Sequence, residues 1–417
     1  MGRRNGSCTL GYFRGECQMS RQSLRPSWKM VKFGEVVKNA NLVERDPETN
    51  DIERIVGLEH IEPDNLHIRR WNSVADGTSF TRKFVPGQTL FGKRRAYQRK
   101  VAFAEFEGIC SGDILTFEPK NRKVLLPELL PFICQSDAFF DYALDTSAGS
   151  LSPRTSWTAL QGFEFPLPPL DEQKRIAEIL WAADEAVEVW REVTLNVANL
   201  FNVCANEVAL NAKVNGAFVE MNKLASSEAS SFTNGPFGSN LLTKELTDEG
   251  VPVIYVRDVK DGRYIRQENV CVTSEKAEEL KACKTIPGDI LFSKVGDPPG
   301  IASIYPEKEP DAIVTQDVIR LRVNTQKVNP EYLKFFFNSK PGRDSLNEII
   351  IRGTRQRFSL RDFKKLKIPL PKLSDQIEAA QKLNEIEKKL EEAEKHLQDT
   401  VELQRSLTQG PLRGDNV

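Results

Sequence analysis

The 417-residue sequence has few of the residues that build metal sites and disulfide frameworks. Its seven cysteines include no CxxC pair, and its three histidines stand far apart at positions 60, 67 and 396. Neither set has the spacing of a zinc site. Cysteines that are odd in number and scattered are typical of reduced thiols, so we predict a cytoplasmic protein without a structural metal.

Long apolar runs and catalytic motifs are missing as well. No run of about 18 apolar residues occurs, so no membrane span is predicted. The basic first residues are not followed by the apolar stretch of a signal peptide. We interpret residues 1–27 as a basic tail, in which Met19 could be the true initiator. The phosphate-binding GxxxxGK(S/T) loop, the GxSxG elbow, the HExxH pair and the GxGxxG turn are all absent, which argues against a catalytic chain.

The chain does contain one block of sequence twice. Residues 86–93 (PGQTLFGK) match residues 287–294 (PGDILFSK) at an offset of 201. Residues 165–170 (FPLPPL) match residues 368–373 (IPLPKL) at an offset of 203. Repeats at a near-constant offset determine the architecture before any local pattern does. The sequence therefore predicts an internal duplication.

One identical tetrapeptide does not belong to this duplication. The letters GDIL stand at residues 112–115 and again at 288–291, but their offset is 176. The partner of residues 111–114 in the common register is 315–318. We therefore reject the identical pair in favour of the consistent offset.

Each copy ends in a proline motif followed by an apolar heptad pattern, which predicts a long helix. We place these helices at residues 171–210 and 374–408. Both are acidic, with a net charge of −4 over residues 171–200 and −5 over 374–403. The second pattern reaches the polar Gln404, where we expect the apolar seam to fade. The seam residues are Ile176, Leu180, Ala183, Val187 and Trp190 in the first helix, and Leu383, Ile386, Leu390 and Leu397 in the second.

The two apolar seams can be buried against each other in an antiparallel coiled coil. Helices of this length span about 45–50 Å at 1.5 Å per residue, which is more than one turn of B-DNA. Such a pair could set the distance between two DNA half-sites. The alternative is that the helices only dimerise the chain or hold its domains together.

The segments before the helices, residues 28–170 and 211–373, have short β-like runs between turn signals, with helical pieces among them. The fold class is therefore α+β. We predict two similar domains with irregular, mixed and mostly antiparallel sheets, joined by the two long helices. Residues 409–417 form a C-terminal tail.

Basic residues are concentrated in loops of both predicted domains. The first cluster has five cations without an acid, and it also contains an aromatic and an amide side chain that could contact bases. The alternative is a solvated basic loop. Its residues are Lys93, Arg94, Arg95, Tyr97, Gln98, Arg99 and Lys100.

In the second domain, residues 342–367 carry a net charge of +5, and the position of Lys93 is taken by Lys294. We add Gln316 as a candidate contact. Glycine lets the backbone approach a phosphate, whereas hydroxyl and guanidinium groups donate to it. A tight turn leading into the last strand is the structural alternative for Gly353. The other candidates are Arg352, Thr354, Arg355, Gln356 and Arg357, aligned with a first-domain segment that contains Ser150 and Arg154.

From Trp28 onward the chain resembles the DNA-specificity (S) subunits of type I restriction-modification systems. The resemblance rests on residues 165–180 (FPLPPLDEQKRIAEIL), on their weaker copy at 368–376, and on the matching segments 149–154 and 353–356. It implies two target-recognition domains that read the halves of a bipartite, asymmetric DNA site, with the helices setting the spacer. One departure is Ser374-Asp375-Gln376 where Asp171-Glu172-Gln173 stands in the first copy.

The resemblance also implies the partners. The subunit would be non-catalytic and bind double-stranded DNA, two modification (M) subunits and restriction (R) subunits, and no membrane. S-adenosylmethionine, ATP and Mg²⁺ would be bound by those partners and no cofactor by this chain, whose acidic helices would dock M. Three alternatives are the recognition subunit of a related enzyme that cuts on both sides of its site, a stand-alone methyltransferase or nuclease, and a scaffolding coiled coil.

Overall fold

The computed structural model describes residues 27–236 and 240–412, together with residues 25 and 238. The predicted basic tail therefore lies almost wholly outside the described residues, Met19 does so entirely, and so do residues 413–417 of the predicted C-terminal tail. The chain divides into two compact units. The first consists of Met1–Val189 and Gln398–Val417, and the second of Trp190–Leu397.

The globular part of the first unit is built from short strands and short helices. Its strands are β1 Lys29–Lys32, β2 Val37–Asn39, β3 Leu42–Val43, β4 Arg54–Val56, β5 Asn72–Ser73, β6 Arg82–Phe84, β7 Thr89–Gly92, β8 Val101–Phe103, β9 Gly108–Cys110, β10 Ile114–Pro119 and β11 Glu164–Leu167. Its helices are α1 Phe33–Val36, α2 Leu130–Gln135, α3 Asp137–Asp145 and α4 Trp157–Leu160, followed by the long α5 Leu170–Asn215.

The second unit has the same kind of composition. Its strands are β12 Ala217–Glu220, β13 Phe232–Asn234, β14 Leu246–Thr247, β15 Val251–Ile254, β16 Val259–Lys260, β17 Arg263–Tyr264, β18 Cys271–Val272, β19 Lys284–Thr285, β20 Ile290–Ser293, β21 Ala302–Ile304, β22 Ala312–Val314, β23 Val318–Leu321 and β24 Lys367–Leu370. Its helices are α6 Ser274–Glu279, α7 Pro330–Asn338, α8 Lys340–Leu346 and α9 Leu360–Lys365, followed by the long α10 Leu373–Leu412.

The two units share the topology of their four-stranded sheet and of four strands in their five-stranded sheet, which confirms the predicted duplication. A four-stranded sheet has the order β2-β10-β7-β8 in the first unit and β13-β23-β20-β21 in the second. A five-stranded sheet has the order β3-β6-β9-β4-β5 in one and β14-β18-β15-β22-β19 in the other. Strands β6-β9-β4-β5 correspond to β19-β22-β15-β18, whereas the remaining strand is added at opposite edges, with β3 on β6 and β14 on β18. Pairing is antiparallel except for β4 with β9 and β15 with β22. The predicted α+β class with mostly antiparallel sheets is confirmed.

The turns before β7 and β20 confirm the register of the repeat. Gly87 and Gly288 have φ angles of 86° and 85°, a conformation that favours glycine. Their amides donate to the carbonyls of Ala104 and Tyr305 at 2.8 and 2.9 Å. Gly112 instead precedes β10, which is the counterpart of β23 and not of β20. The rejection of the identical GDIL tetrapeptide was therefore correct.

Phenylalanine side chains dominate both cores at equivalent positions. Phe91 in β7 and Phe292 in β20 are completely buried. Phe91 meets Phe139 of α3 edge-on with ring centroids 5.4 Å apart, and Phe292 meets Phe363 of α9 edge-on at 5.0 Å. Burying a phenylalanine contributes about 1.5–3 kcal/mol. These rings therefore fix the sheets against the helices of each unit.

The long helices pack together and extend each core. In the first unit the core includes the buried seam residues Ile176 and Leu180 of α5, with Leu407 of α10 against it. In the second unit, Trp190 stacks on His396 with centroids 4.6 Å apart, and Ala205 shares a cluster with the buried Leu383. Residue numbers in α5 rise as those in α10 fall. The predicted antiparallel pairing is confirmed.

The remaining seam residues contribute unequally to this packing. Val187 is 3% exposed, so it is a full member of the seam. Five others are half-buried, as expected of a seam between only two helices. They are Ala183, Trp190, Ile386, Leu390 and Leu397.

The prediction that the second seam fades at Gln404 was wrong. Gln404 is buried, and its Nε2 donates to Asp184 Oδ1 of α5 at 2.7 Å. A polar pair thus replaces an apolar pair at this level of the seam. Thr408, one turn later, is also buried, and α10 extends to Leu412. Likewise α5 extends to Asn215 because Ala209 and Ala212 pack in the second core.

Candidate nucleic-acid interface

The segment that connects β7 to β8 carries the first predicted cluster of cations. A single helical turn, Ala96–Gln98, lies in its middle and is bounded by Arg95 and Arg99. These two arginines have φ angles of 55° and 53°, in the left-handed region that few side chains adopt. The backbone changes course on both sides of the turn. The side chains of the cations before the turn and of those after it therefore have different neighbours.

The two cations after the turn are engaged by the protein. Arg99 Nε donates to Asp64 Oδ1 at 3.1 Å, and Arg99 Nη2 lies 2.9 Å from Asp137 Oδ1. Lys100 Nζ donates to the carbonyl of Leu58 at 2.6 Å, and burial lowers the pKa of its ammonium group. Both side chains hold the loop against the fold. Their contact with DNA stays a prediction.

The two arginines before the turn share one acceptor. Ser152 Oγ accepts from Arg94 Nε at 2.8 Å and from Arg95 Nε at 3.2 Å. Arg95 is exposed, Tyr97 on the turn is exposed, and Gln98 beside it is half-buried. A guanidinium group has five N–H donors. One hydrogen bond therefore orients each arginine and leaves further donors for a ligand.

Asp113 is the one acid at the base of this cluster. Its Oδ1 accepts from Arg154 Nε at 3.0 Å, and its Oδ2 lies 3.5 Å from Arg94 Nη1. Burial raises the pKa of Asp113. The hydrogen bond from Arg154 and the charges of Lys93 and Arg94 lower it by more, so that the pKa of Asp113 is below its ordinary value. Burial also lowers the pKa of Lys93. One carboxylate thus orients two arginines, Arg94 and Arg154, without cancelling their charge.

A five-residue loop lies beside these cations. Residues 149–153 are closed by the β-bridge of Ala148 with Arg154, and Arg154 also bridges to Arg94. Ser150 and Leu151 are exposed in this loop. We call residues 93–100 and 148–154 together the first basic surface. The structure brings the predicted residues of both segments together here.

The second unit has the same arrangement. The main-chain N–H of Lys294 donates to Asp317 O at 2.8 Å, as that of Lys93 donates to Asp113 O at 2.9 Å. Lys294 Nζ donates to the carbonyl of Gln316 at 3.4 Å. The alignment of residues 111–114 with 315–318 is thereby confirmed. Both predicted residues lie next to each other.

The counterpart of the five-residue loop is residues 352–356. It is closed by the bridge of Ile351 with Arg357, and Arg357 also bridges to Val295. Gln356 Nε2 donates to Asp297 Oδ1 at 3.2 Å. We call residues 294–297, 316 and 351–357 the second basic surface. Its exposed residues are Asp297, Ile351, Arg352, Gly353, Thr354, Arg355 and Arg357.

One glutamine in each proline motif holds the start of a long helix. Gln173 Nε2 donates to the carbonyls of Pro168 and Val124, both at 2.8 Å, and its Oε1 accepts from the amide of Leu126 at 2.9 Å. This side chain is 1% exposed. It therefore satisfies main-chain groups of the preceding proline segment and of the loop after β10.

The second copy repeats this glutamine contact. Gln376 Nε2 donates to Pro371 O at 2.9 Å, and its Oε1 accepts from the amide of Asn329 at 2.9 Å. Sequence reasoning missed this role although a signal was present. The glutamine is the one residue shared in place by Asp171-Glu172-Gln173 and Ser374-Asp375-Gln376.

His67 joins a loop of the first unit to α5. Its Nε2 lies 2.8 Å from Asp184 Oδ2 and its Nδ1 lies 2.7 Å from Glu105 Oε1. The hydrogen bond to Asp184 is the main reason why the pKa of His67 is raised, and burial opposes it. Arg69 forms an ion pair with Glu188 one turn further along α5. We call His67, Glu105 and Asp184 the histidine clasp.

The second unit has ion pairs at the corresponding helix positions. Lys334 Nζ lies 2.7 Å from Glu387 Oε2, and Arg263 Nε lies 3.5 Å from Glu391 Oε1. Glu387 is the counterpart of Asp184 at the repeat offset of 203. Each unit therefore fixes its helix by salt bridges, and the first uses a histidine for them.

Neither a metal-binding cluster nor a membrane-spanning helix is found in the part of the chain that is described. Within residues 27–236 and 240–412, no group of three or more histidine, cysteine, aspartate or glutamate side chains could hold a metal ion. Over those same ranges, no helix is both long and apolar enough to cross a membrane. The five described cysteines are free thiols, and burial raises the pKa of Cys110 to about 12.

Two similar units, each with a basic loop surface and each built onto the same pair of long helices, define a duplicated DNA-recognition protein. The chain belongs to the family of the type I restriction modification DNA specificity domain, which matches residues 27–195 and 238–403. The alternative interpretation, a recognition subunit of a related enzyme that cuts on both sides of its site, is not favoured by this membership.

Known relatives agree with this membership. The chain is 24% identical to the type I restriction enzyme EcoKI specificity subunit of Escherichia coli K12 over 85% of this chain and 82% of that one. It is 27% identical to the EcoDI specificity subunit of Escherichia coli, a match that spans 45% of this chain and only 42% of that protein. These relatives are specificity subunits.

Solved structures share the fold. The type I restriction-modification system S subunit from M. genitalium superposes with a TM-score of 0.57 at 13% identity, covering 95% of this chain and 97% of the other. A chain from a study of assembly and conformational transition of the type I R-M system gives 0.56 at 20% identity, covering 94% and 99%.

Proposed function

We propose that this chain is the DNA-recognition subunit of a type I restriction-modification complex, and that each unit reads one half of a bipartite, asymmetric site in double-stranded DNA. One observation carries the proposal. The same bridged pair of segments recurs at the same place in both units, and in both it presents exposed arginines. Arginine is suited to phosphates and to guanine.

The composition of the two surfaces supports an asymmetric target. The first exposes Arg95 and Tyr97 beside the Ser150 loop, whereas the second exposes Arg352 and Arg355 in its loop. Direct readout depends on which donors, acceptors and apolar groups meet the base edges. Two surfaces with different side chains on one backbone arrangement would therefore select different half-sites.

The outer surface of α5 supports docking of a modification subunit. Beside the seam, a second row of positions alternates in steps of four and three residues, and every side chain in it is exposed. Most are apolar, and the row lies about 100° from the seam because each residue turns the helix by that angle. We call this row the outer stripe. It consists of Val189, Val193, Asn196, Leu200, Val203, Glu207, Leu210 and Val214.

A helix with two apolar rows about 100° apart can pack against two neighbours, as in a helical bundle. One neighbour of α5 is α10. The outer stripe would receive helices from an M subunit, whose two copies would each dock on an acidic helix. R subunits would join that assembly. S-adenosylmethionine, ATP and Mg²⁺ would be bound by these partners, and this chain would be non-catalytic and cytoplasmic.

Sequencing of methylated bases in host DNA tests the proposal directly. We expect a split, adenine-methylated motif with a fixed spacer, present with the gene and lost when the gene is deleted. Replacing Arg352 and Arg355 by alanine should relax or abolish recognition of one half of that motif and leave the other half unchanged. A methylome that is identical with and without the gene would overturn the proposal.

A further inference from the structure

One large apolar side chain stands almost entirely in solvent within the first basic surface. Leu151 is 92% exposed, more than any other large hydrophobic residue among those described. Burying a leucine side chain contributes about 1.5–3 kcal/mol. This contribution is not realised in the protein alone, and it becomes available when a ligand covers the residue.

The loop that carries Leu151 is held in place on both sides. The bridge of Ala148 with Arg154 closes its base, and the main-chain N–H of Arg95 donates to the carbonyl of Pro153 at 2.7 Å. Ser152, which follows Leu151 in the chain, accepts hydrogen bonds from both Arg94 and Arg95, as described above. Leu151 is therefore presented by a fixed loop, and the groups around it are cationic.

The loop of the second unit has the opposite chemistry. It carries Arg352, Gly353, Thr354, Arg355 and Gln356, with two cations and no apolar side chain. The first loop is Gly149, Ser150, Leu151, Ser152 and Pro153, with an apolar side chain and no charge. Because both loops have the same bridges at their base, the difference lies in what their tips can contact.

We infer that Leu151 reads thymine, by packing its side chain on the C5-methyl group of a thymine in the major groove of the half-site read by the first unit. This inference rests on the proposed function and names a base contact for it. Among the four base-pair patterns in the major groove, thymine contributes the apolar group. Arg94, Arg95 and Arg154 around the loop contact phosphates and place Leu151 against the base edges.

The test uses the full chain co-expressed with its M subunit and a duplex that contains the methylated motif. Each thymine of the duplex is replaced in turn by uracil, which lacks only the methyl group. Affinity is measured by fluorescence anisotropy for the wild-type complex and for Leu151→Ala. Leu151→Met, which stays apolar, and Ile351→Ala, an exposed residue at the base of the second loop, are the matched controls.

We expect one thymine position at which uracil weakens wild-type binding about fourfold, the effect of losing one buried methyl group. Leu151→Ala should weaken binding to the natural duplex by a similar or larger factor and should no longer distinguish thymine from uracil at that position. The salt dependence should not change, because no phosphate contact is lost. Both controls should keep the thymine preference.

Two results would overturn the inference. One is wild-type affinity in Leu151→Ala, and the other is a Leu151→Ala complex whose preference for thymine over uracil is the same as that of wild type at every position of the duplex. In both cases the wild-type complex binds its methylated motif, so the proposed function stands. If the wild-type complex does not bind that motif at all, the proposed function fails and the inference fails with it.

Discussion

Replacing His67 should destabilise the first unit, and the loss should depend on pH. The imidazole ring is in contact with two carboxylates, and its side chain is 20% exposed whereas that of Asp184 is 6% exposed. In His67→Gln the charged partner of Asp184 is gone, and Gln404 is left as its one hydrogen-bond donor from a side chain among the described residues. A hydrogen bond to a charged group contributes about 1.5–3 kcal/mol.

The magnitude follows from the two sides of the ring. The contact with Asp184 is mostly shielded from water, while Glu105 is half exposed and its charge is screened. We therefore expect a loss of about 2 kcal/mol at pH 6, which lowers the midpoint of thermal unfolding by about 4–8 °C for a unit of this size.

The direction of the pH dependence follows from the raised pKa of His67. A histidine whose pKa is raised by folding stabilises the protein fully below its ordinary pKa of about 6.5. This stabilisation is lost as the pH rises through the pKa of the folded state. The difference between wild type and His67→Gln should therefore be largest near pH 6 and shrink toward pH 9.

Urea unfolding followed by tryptophan fluorescence measures this difference, because Trp28, Trp71, Trp157 and Trp181 belong to the first unit. The matched control is Arg263→Gln in the second unit, monitored by circular dichroism. Arginine keeps its charge over this range, so the cost of that substitution should not vary with pH. A His67→Gln difference that is constant or grows from pH 6 to pH 9 would refute the reasoning.

Three further predictions concern the helix start, the first basic surface and the outer stripe. Gln173→Ala leaves buried main-chain groups without partners and should lower the free energy of unfolding by about 2–4 kcal/mol, measured in urea, whereas Gln161→Ala should cost little. The double substitution Arg94→Ala and Arg95→Ala should reduce the slope of log affinity against log salt by about 1.8, the value for two phosphates. An unchanged slope would exclude both contacts. The double substitution Val193→Ser and Leu200→Ser should reduce co-purification of the M subunit. Leu195→Ser, at an exposed residue outside the stripe, should leave it unchanged. Equal recovery of M from all variants would show that the outer stripe is not the docking surface.

The sequence predicted those features of the fold that depend on periodicity and on the repeat. The heptad rows located Leu180, Val187 and Leu383 in the core, since an apolar row at helical spacing predicts a helix face that packs against a neighbour. Glycine turns at Gly87 and Gly288 marked equivalent strands. The helix ends were less predictable, since α5 and α10 extend as far as tertiary packing supports them.

The candidate site was predictable in position but not in detail. The sequence groups Arg94, Arg95, Arg99 and Lys100 as one basic run. In the structure, the left-handed backbone conformations of Arg95 and Arg99 turn the chain between the first two cations and the last two. No local sequence pattern predicts a left-handed backbone at these positions, because arginine rarely adopts that conformation. Similarly, the burial of Gln404 depends on Asp184, a partner 220 residues away.

The ribbons β1–β11 and β12–β24 have a consequence for how such proteins change. Lys29 pairs with Leu167 and Lys32 with Glu164, as Ala217 pairs with Leu370 and Glu220 with Lys367. In each unit the globular part thus begins and ends in two adjacent strands with the same four-residue register, and the second of these strands leads into a long helix. We expect a domain attached in this way to be exchangeable as a cassette between the two positions without redesign of the helices.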